Sequence, residues 1–183
     1  LSPIAVADLC ESVIAANATG LRPDIPGLHG PIVRTTEIPE VLCPNKDGGV
    51  LREPGAIDVV ACLRRADEAG LAGGVFIVVA CGDNATWKFL NRKGILVNQQ
   101  GTHGLIYRPY HLLGIETPVS ILCAGLHNLS TGSTDVAPQV DLVARTTRTL
   151  KAGSIFYDSE ENTDLAFEPL ILPASLSDPT NPI

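Results

Sequence analysis

Polar and aromatic side chains are densest between residues 107 and 116 of this sequence. Histidine can take up or give away a proton near neutral pH, glutamate can orient it or act as a base when desolvated, and a tyrosine hydroxyl can donate to a developing oxyanion. These residue types predict an acid–base site with four candidate catalytic residues: Tyr107, Tyr110, His111 and Glu116. A structural interpretation stays open beside it, in which Glu116 only adds charge to a first helical turn and His111 is a hydrogen-bonded core histidine.

A second charged group directly follows an apolar segment that is predicted to be a strand. Ligands of such folds tend to bind where strands end, and arginine guanidinium groups match carboxylates and phosphates in geometry. We therefore predict a substrate-binding role for four residues of this group, Arg64, Arg65, Asp67 and Glu68. The same role is predicted for Arg108, which lies in the cluster at residues 107–116. The alternative is a solvated turn that is held together by salt bridges.

The histidines are the other candidates for chemistry. His29 lies between two glycine-containing pairs in a long loop and is predicted to face the same pocket as a substrate-binding residue, whereas His103 in a hairpin turn and His127 near a helix end are predicted to face solvent. The four histidines show no short metal-ligand spacing, so no metal is predicted. No serine-nucleophile motif occurs, and cysteines in apolar segments are usually unreactive.

The elements that must position these residues are those of an α+β fold with a central mixed β-sheet and two main helices. A capped first helix is predicted from residue 2 to Gly20, followed by a long loop over residues 21–55 that is rich in proline and glycine. Segments 56–63 and 74–81 are almost continuously apolar, which is typical of strands that are covered on both faces. We expect these two strands to form the centre of the sheet.

The second half of the chain predicts shorter elements. A helix over residues 85–93 is expected between a cap at Asp83 or Asn84 and Gly94, and a hairpin is expected to pair residues 95–97 with 105–107. A second, buried helix is predicted to start at Thr117 and to stop near Asn128. Residues 140–172 read as a small β unit, which predicts a core over 1–132 with a second unit over 133–183 packed on it.

The composition excludes several classes of partner. The formal net charge is −7, from 13 basic and 20 acidic residues, and no strong basic cluster occurs, so a nucleic-acid partner is not expected. No apolar run approaches the ~20 residues that cross a bilayer, and no secretory signal is evident. Together with cysteines that are expected to stay reduced, these features predict a soluble, cytoplasmic protein.

Four motifs together resemble a known family. They are NATGLRPDIPGLHGP over residues 17–31, DGGVL over 47–51, GGVF over 73–76 and YRPYHLLGIETP over 107–118. In this order they resemble the reductases described as predicted homoserine dehydrogenases and as deoxyxylulose-phosphate-reductoisomerase-like enzymes. The stretch VARTTRTLKAG over residues 143–153 resembles the start of the SAF (antifreeze-like) β-clip domain that ends those proteins.

The resemblance implies the substrate-binding and subunit-contact half of such a reductase, and hence a homodimer. The NAD(P)-binding Rossmann half of the family has no counterpart in this sequence, because no G-x-G-x-x-G follows a predicted strand. The first hypothesis is therefore an isomerase, lyase or cyclase that uses no cofactor and acts on a small intermediate of secondary metabolism. The alternatives are an NAD(P)-dependent oxidoreductase fragment and a non-catalytic binding or assembly subunit.

Overall fold

The computed structural model describes residues 9–68, 70–71, 73–110, 112–155 and 167–176. The described part of the chain contains four α-helices and nine strands, which confirms the α+β class. The strands form four small sheets in place of one central sheet. No helix in this part of the chain is both long and apolar enough to cross a bilayer.

The first helix, α1, holds the C-terminal hairpin against the body of the protein. Helix α1 spans Leu9–Thr19 and ends before Gly20, which has a positive φ of 76°; its predicted beginning lies outside the described residues. The hairpin consists of β8 (Val140–Thr146) and β9 (Phe167–Pro173), which pair antiparallel. Five buried apolar side chains form the core between these elements: Leu9, Ala16, Leu28, Val140 and Ile171.

Asn17 supplies the polar part of this contact. Its side-chain oxygen accepts hydrogen bonds from the backbone N–H groups of Gln139 (2.7 Å) and Val140 (3.0 Å), and its Nδ2 donates to the Val140 carbonyl (3.1 Å). The hairpin therefore packs directly on α1, while the division into units 1–132 and 133–183 stays a prediction.

The largest sheet has the strand order β5-β7-β6 and is antiparallel. Its strands are β5 (Val75–Ala80), β6 (Leu96–Val97) and β7 (His103–Arg108), which confirms the predicted hairpin. One face, which includes the buried Leu105 of β7, packs on five further buried side chains of the main core: Val33, Ile38, Leu42, Leu51 and Leu71.

Helix α3 (Asn84–Arg92) covers one end of the other face of this sheet. Asp83 caps it as predicted, because its carboxylate accepts hydrogen bonds from the backbone N–H groups of Ala85 and Thr86. Trp87 lies so close to Gly104 that an added Cβ there would meet the indole ring at 2.3 Å. Because Gly104 has no side chain, α3 can pack closely against β7.

The prediction that residues 56–63 form a central strand beside residues 74–81 is wrong. This segment contains two strands of two residues each, β3 (Ala56–Ile57) and β4 (Ala61–Cys62). They pair in parallel with β1 (Arg22–Pro23) and β2 (Ile32–Val33), which lie inside the predicted loop. The apolar run is interrupted at Asp58, whose carboxylate accepts hydrogen bonds from the backbone N–H groups of His29, Gly30 and Val59.

The last helix, α4, is also different from the prediction. It spans Leu113–His127 and contains Pro118, so it begins earlier than the cap-then-proline pattern indicated. The Leu112 carbonyl accepts the first bonds from the N–H groups of Ile115 (2.9 Å) and Glu116 (2.8 Å), which starts the helix directly after β7. The predicted core face is exposed, since its four large apolar side chains reach solvent: Val119, Ile121, Leu122 and Leu126.

Two carboxylates organise the loop between β1 and β2. Asp58 accepts hydrogen bonds from the backbone N–H groups of His29 (3.0 Å), Gly30 (3.0 Å) and Val59 (2.8 Å). Asp24 accepts from the Arg52 backbone N–H (3.0 Å) and lies 2.8 Å from Nε2 of His29. These bonds fix a loop in which Leu28 has a left-handed backbone (φ 58°) and is nevertheless buried.

The Asp24 carboxylate has an altered acidity. Its side chain is only 6% exposed. Burial acts to raise the pKa of Asp24, but the hydrogen bonds from the His29 ring and the Arg52 backbone outweigh it, so this pKa lies below the ordinary value of 3.8. The charged form of Asp24 therefore stabilises the folded protein.

The first prediction concerns Asn17. Replacing it by alanine removes three hydrogen bonds between α1 and β8 and leaves two backbone N–H groups and one carbonyl without their partner. We expect Asn17→Ala to lower the free energy of unfolding by about 1–3 kcal/mol in urea titrations. Asn91→Ala, which removes one exposed bond to the Ile95 carbonyl, is the control and should cost about 0.5 kcal/mol. Equal losses in the two variants would contradict this role of Asn17.

The second prediction concerns the pH dependence of stability. Because the pKa of Asp24 is lowered in the folded state, its stabilising effect is complete above the ordinary value of 3.8 and is lost as the pH falls through the lowered pKa. We expect Asp24→Asn to be less stable than the unaltered protein at neutral pH by about 1–3 kcal/mol. The gap should narrow on acidification, as measured by urea unfolding at several pH values.

The control for this prediction is Asp135→Asn, which changes a carboxylate on an exposed turn. Its stability should follow that of the unaltered protein at every pH. A gap between Asp24→Asn and the unaltered protein that stays constant down to acidic pH would contradict the assignment.

Candidate active site

A cavity of about 310 Å³ opens between residues 54–58 and the sheet. It lies between the two segments that the sequence predicted to be neighbouring strands. Its walls are mostly apolar, and the residues that line it are Leu21, Leu42, Pro44, Leu51, Pro54, Gly55, Ala56, Ile57, Asp58, Phe76, Ile77, Val78, Ala80 and His103.

Strand β5 forms one wall through its free edge. In the described part of the chain β5 pairs only with β7, so it is the edge strand of its sheet. Phe76, Ile77 and Val78 all line the cavity although successive side chains of a strand point to opposite faces, which means that the edge itself borders the opening.

His103 is the ionisable ring in this cavity. It is 6% exposed, and its Nδ1 lies 2.9 Å from the Thr102 hydroxyl oxygen. Its Nε2 lies 4.0 Å from the Asp47 carboxylate, which is too long for a hydrogen bond. Nε2 is thus the ring atom left to meet a ligand.

The prediction that His103 faces solvent in a hairpin turn is wrong. The side-chain oxygen of Asn98 accepts hydrogen bonds from the N–H groups of Thr102 (2.9 Å) and His103 (3.0 Å), so the turn closes before residue 103. His103 is then the first residue of β7 and shares the inward face with Leu105. Alternate residues of a strand point to the same face, so the apolar Leu105, two residues later, could have indicated from the sequence that His103 points inward.

Asp58 is the second polar group that lines the cavity, and it was missed because its partners are distant in sequence. Three backbone N–H groups occupy its oxygens, two on Oδ1 and one on Oδ2. A carboxylate offers about four acceptor positions, so one position on Oδ2 is left for a further donor.

His29 lies behind this wall. Its backbone N–H donates to Asp58, and its ring contacts Asp24, but the residue is not among those that line the cavity. The structure therefore places this predicted substrate-binding residue beside the candidate site, as part of the support of Asp58.

The cluster predicted between residues 107 and 116 lies at the other end of β7. Arg108 stands five positions after His103 along the strand, which corresponds to roughly 17 Å. Arg108 forms an ion pair with Glu116, and Tyr107 and Tyr110 are exposed. His111 lies outside the described residues. The catalytic role of this cluster stays a prediction.

The charged group at residues 64–68 forms an exposed turn. Arg65 pairs with Asp67 at 3.2 Å, and Glu68 accepts the Arg65 backbone N–H at 2.8 Å. Arg64 donates to the Arg65 and Glu68 carbonyls at 3.4 and 3.2 Å. None of these residues lines the cavity.

Metal and thiol chemistry have little support in the described part of the chain. No group of three or more histidine, cysteine or acidic side chains there is arranged to hold a metal ion. Of the five cysteines only Cys43 is buried, and its thiol donates to the Glu40 and Asp47 carbonyls at 3.3 and 3.5 Å. Burial, with the nearby charges of Asp47 and Glu40, raises the pKa of the Cys43 thiol and disfavours the reactive thiolate.

The elements that the structure describes form no dinucleotide site of the Rossmann type. Such a site is built from a parallel strand, a glycine-rich turn and a helix whose N-terminus meets the pyrophosphate. The parallel pairs in the described residues have two residues in each strand, and none of these strands leads through a glycine-rich turn into a helix.

Comparisons with known proteins give one family. A comparison with curated proteins finds no significant match. The family model described as the catalytic domain of oxidoreductase DRL matches residues 7–117, which is more than half of the chain and includes every residue that lines the cavity. The chain therefore belongs to the family of the DRL oxidoreductase catalytic domain.

Proposed function

We propose that this chain is the substrate-binding and catalytic part of an NAD(P)-dependent oxidoreductase that interconverts an alcohol and a carbonyl compound. In this proposal the cavity beside His103 is the substrate site, and a domain that is not among the described residues holds the nucleotide. The observation that carries the proposal is that all residues of the cavity lie within the stretch matched by an oxidoreductase catalytic domain.

The chemistry assigned to the chain itself is proton movement at the substrate oxygen. A carbonyl oxygen that becomes an alcohol must gain a proton, and the reverse reaction must lose one. His103 is suited to this task because its Nε2 has no hydrogen-bond partner in the described residues, while the Thr102 hydroxyl at 2.9 Å holds its Nδ1. The side-chain oxygen of Asn98 accepts hydrogen bonds from the backbone N–H groups of both residues and so fixes their position.

The surroundings of His103 supply orientation. Asp58 has one acceptor position left for a hydroxyl of the substrate, and its other positions are held by the backbone N–H groups of His29, Gly30 and Val59. The apolar walls would displace water from the substrate and strengthen the polar contacts that are made there. Holding the substrate in a reactive position raises the rate, and this part of the enzyme can do so without binding the nucleotide itself.

The family match favours the oxidoreductase alternative over a cofactor-independent isomerase, lyase or cyclase. Both hypotheses need a proton-transferring group in the cavity, so His103 would serve in either. They differ in their dependence on nucleotide. The more specific likeness to homoserine-dehydrogenase-like and reductoisomerase-like reductases, and the SAF-like character of the C-terminal hairpin, are parts of the proposal that rest on the sequence motifs.

A homodimer is part of the same proposal. Its support is the unusual amount of exposed apolar surface, which includes Val75, Ile77 and Ile106 on the outer face of the sheet and most large side chains of α4. Exposed apolar patches of this extent commonly mark contact surfaces. A small-molecule substrate remains the other expected partner.

The third prediction tests His103. In the complete enzyme, with its nucleotide-binding domain, we expect His103→Gln to lower the rate of NAD(P)H-dependent carbonyl reduction by about 100-fold to 10,000-fold, because a positioned proton donor is lost. The rate would be followed by the absorbance of NAD(P)H with a panel of small ketones. His127→Gln, which changes an exposed histidine at the end of α4, is the matched control and should keep full activity.

Two results would contradict the proposal. One is full activity of His103→Gln in this assay. The other is turnover of a substrate by the chain alone without nucleotide, which would support the isomerase, lyase or cyclase hypothesis instead. The chain by itself should also fail to bind NADPH at micromolar concentration in a fluorescence titration.

A further inference from the structure

We infer that Asn98 and Thr102 fix the proton of the neutral His103 ring on Nε2, so that the ring meets the cavity as a hydrogen-bond donor. Asn98 and Thr102 are positioning residues, because they act on a ligand only through His103. The place of the proton follows from the hydrogen bonds alone, whereas its part in the reaction rests on the proposed function.

The side-chain amide of Asn98 has one possible orientation. Its oxygen accepts hydrogen bonds from the backbone N–H groups of Thr102 (2.9 Å) and His103 (3.0 Å), and an NH₂ group in its place could accept neither. The other end of the amide, Nδ2, lies 3.1 Å from the Thr102 hydroxyl oxygen and therefore donates to it. Asn98 is only 6% exposed, so the arrangement is largely shielded from water.

The hydroxyl hydrogen of Thr102 then has one good acceptor among the described residues. The Asn98 oxygen lies 3.5 Å away, and its two lone pairs are already taken by the two backbone N–H groups. Nδ1 of His103 lies at 2.9 Å. The hydroxyl therefore donates to Nδ1, which must be the unprotonated nitrogen of the neutral ring. The proton of the ring is then on Nε2.

The Asp47 carboxylate favours the same form of the ring. Its Oδ2 lies 4.0 Å from Nε2 of His103. A negative charge at this distance attracts an N–H group and repels a nitrogen lone pair. The distance is nevertheless too long for a hydrogen bond, so the N–H of Nε2 stays available to an oxygen atom of a ligand.

A donor at Nε2 suits the carbonyl oxygen of a substrate. The hydrogen bond from Nε2 strengthens as negative charge develops on this oxygen during hydride addition, and a neutral imidazole can polarise a carbonyl group in this way. A ring with its proton on Nδ1 would instead turn a lone pair towards the oxygen and repel it. Asn98 and Thr102 thus hold the favourable form of His103 in place before the substrate binds.

Nuclear magnetic resonance of the histidine ring nitrogens tests the place of the proton. Spectra of the isotope-labelled protein at about pH 9, at which ordinary imidazole rings are neutral, distinguish protonated from unprotonated ring nitrogens. We expect a protonated Nε2 and an unprotonated Nδ1 in His103. Thr102→Val removes the hydroxyl and should move the Nδ1 signal, whereas Thr102→Ser keeps a hydroxyl and should leave it in place. Thr134→Val, which changes an exposed threonine, is the matched control and should also leave it in place.

The kinetics of the complete enzyme test the part that this proton has in the reaction. We expect Thr102→Val to lower kcat for NAD(P)H-dependent carbonyl reduction by about tenfold, because the bond from Nε2 is strongest in the transition state. KM should change by less than about twofold. Thr102→Ser should restore kcat to within about twofold of the unaltered enzyme, and Thr134→Val should leave both constants unchanged.

The outcomes separate this inference from the proposed function. A proton on Nδ1 of His103 in the unaltered protein would overturn the inference, and so would an Nδ1 signal that stays in place in Thr102→Val. In both cases a loss of activity in His103→Gln would still support the proposed function. Full activity of His103→Gln would refute the proposed function, while the spectra would still decide where the proton lies.

Discussion

The Asp58 carboxylate accepts hydrogen bonds from three backbone amides, and the shape of the whole site depends on them. They tie residues 29–30 to Asp58, which directly follows β3. The cavity lies between residues 54–58 and β5. The free edge of β5 and the inward face of β7 then border a site whose second polar group is His103.

Local features were predictable from the sequence, and features that depend on distant partners were not. The helix after Asp83 and the hairpin of β6 and β7 were found because a capping carboxylate and a turn act within a few residues. The path of residues 56–63 could not be read in this way, because Asp58 binds amides 28 and 29 residues away. The continuous apolar character of this segment indicated a strand buried on both faces. Its two short strands, β3 and β4, instead pair with β1 and β2, outside the sheet of β5, β7 and β6.

The candidate site illustrates the same limit. His103 carries a signal in the sequence, since it stands two residues before the buried Leu105 and so shares its face of β7, but a glycine turn nearby suggested a solvent-facing position. The polar cluster at residues 107–116 was conspicuous in the sequence, yet Arg108 and Glu116 pair with each other at the opposite end of the strand. The apolar cavity that holds the His103 imidazole and the cluster at residues 107–116 lie at opposite ends of β7. Both lie within the stretch that the oxidoreductase family model matches.

The most direct test of the central claim, that the cavity beside His103 is the ligand site, is nuclear magnetic resonance of the histidine rings during titration with a small ketone that the complete enzyme reduces. The sequence has only four histidines, so each ring signal can be assigned by substituting one histidine at a time. The account predicts that the His103 signals shift saturably with the ketone while those of His127 stay in place. A response confined to residues 107–116, with unchanged His103 signals at saturation, would contradict it.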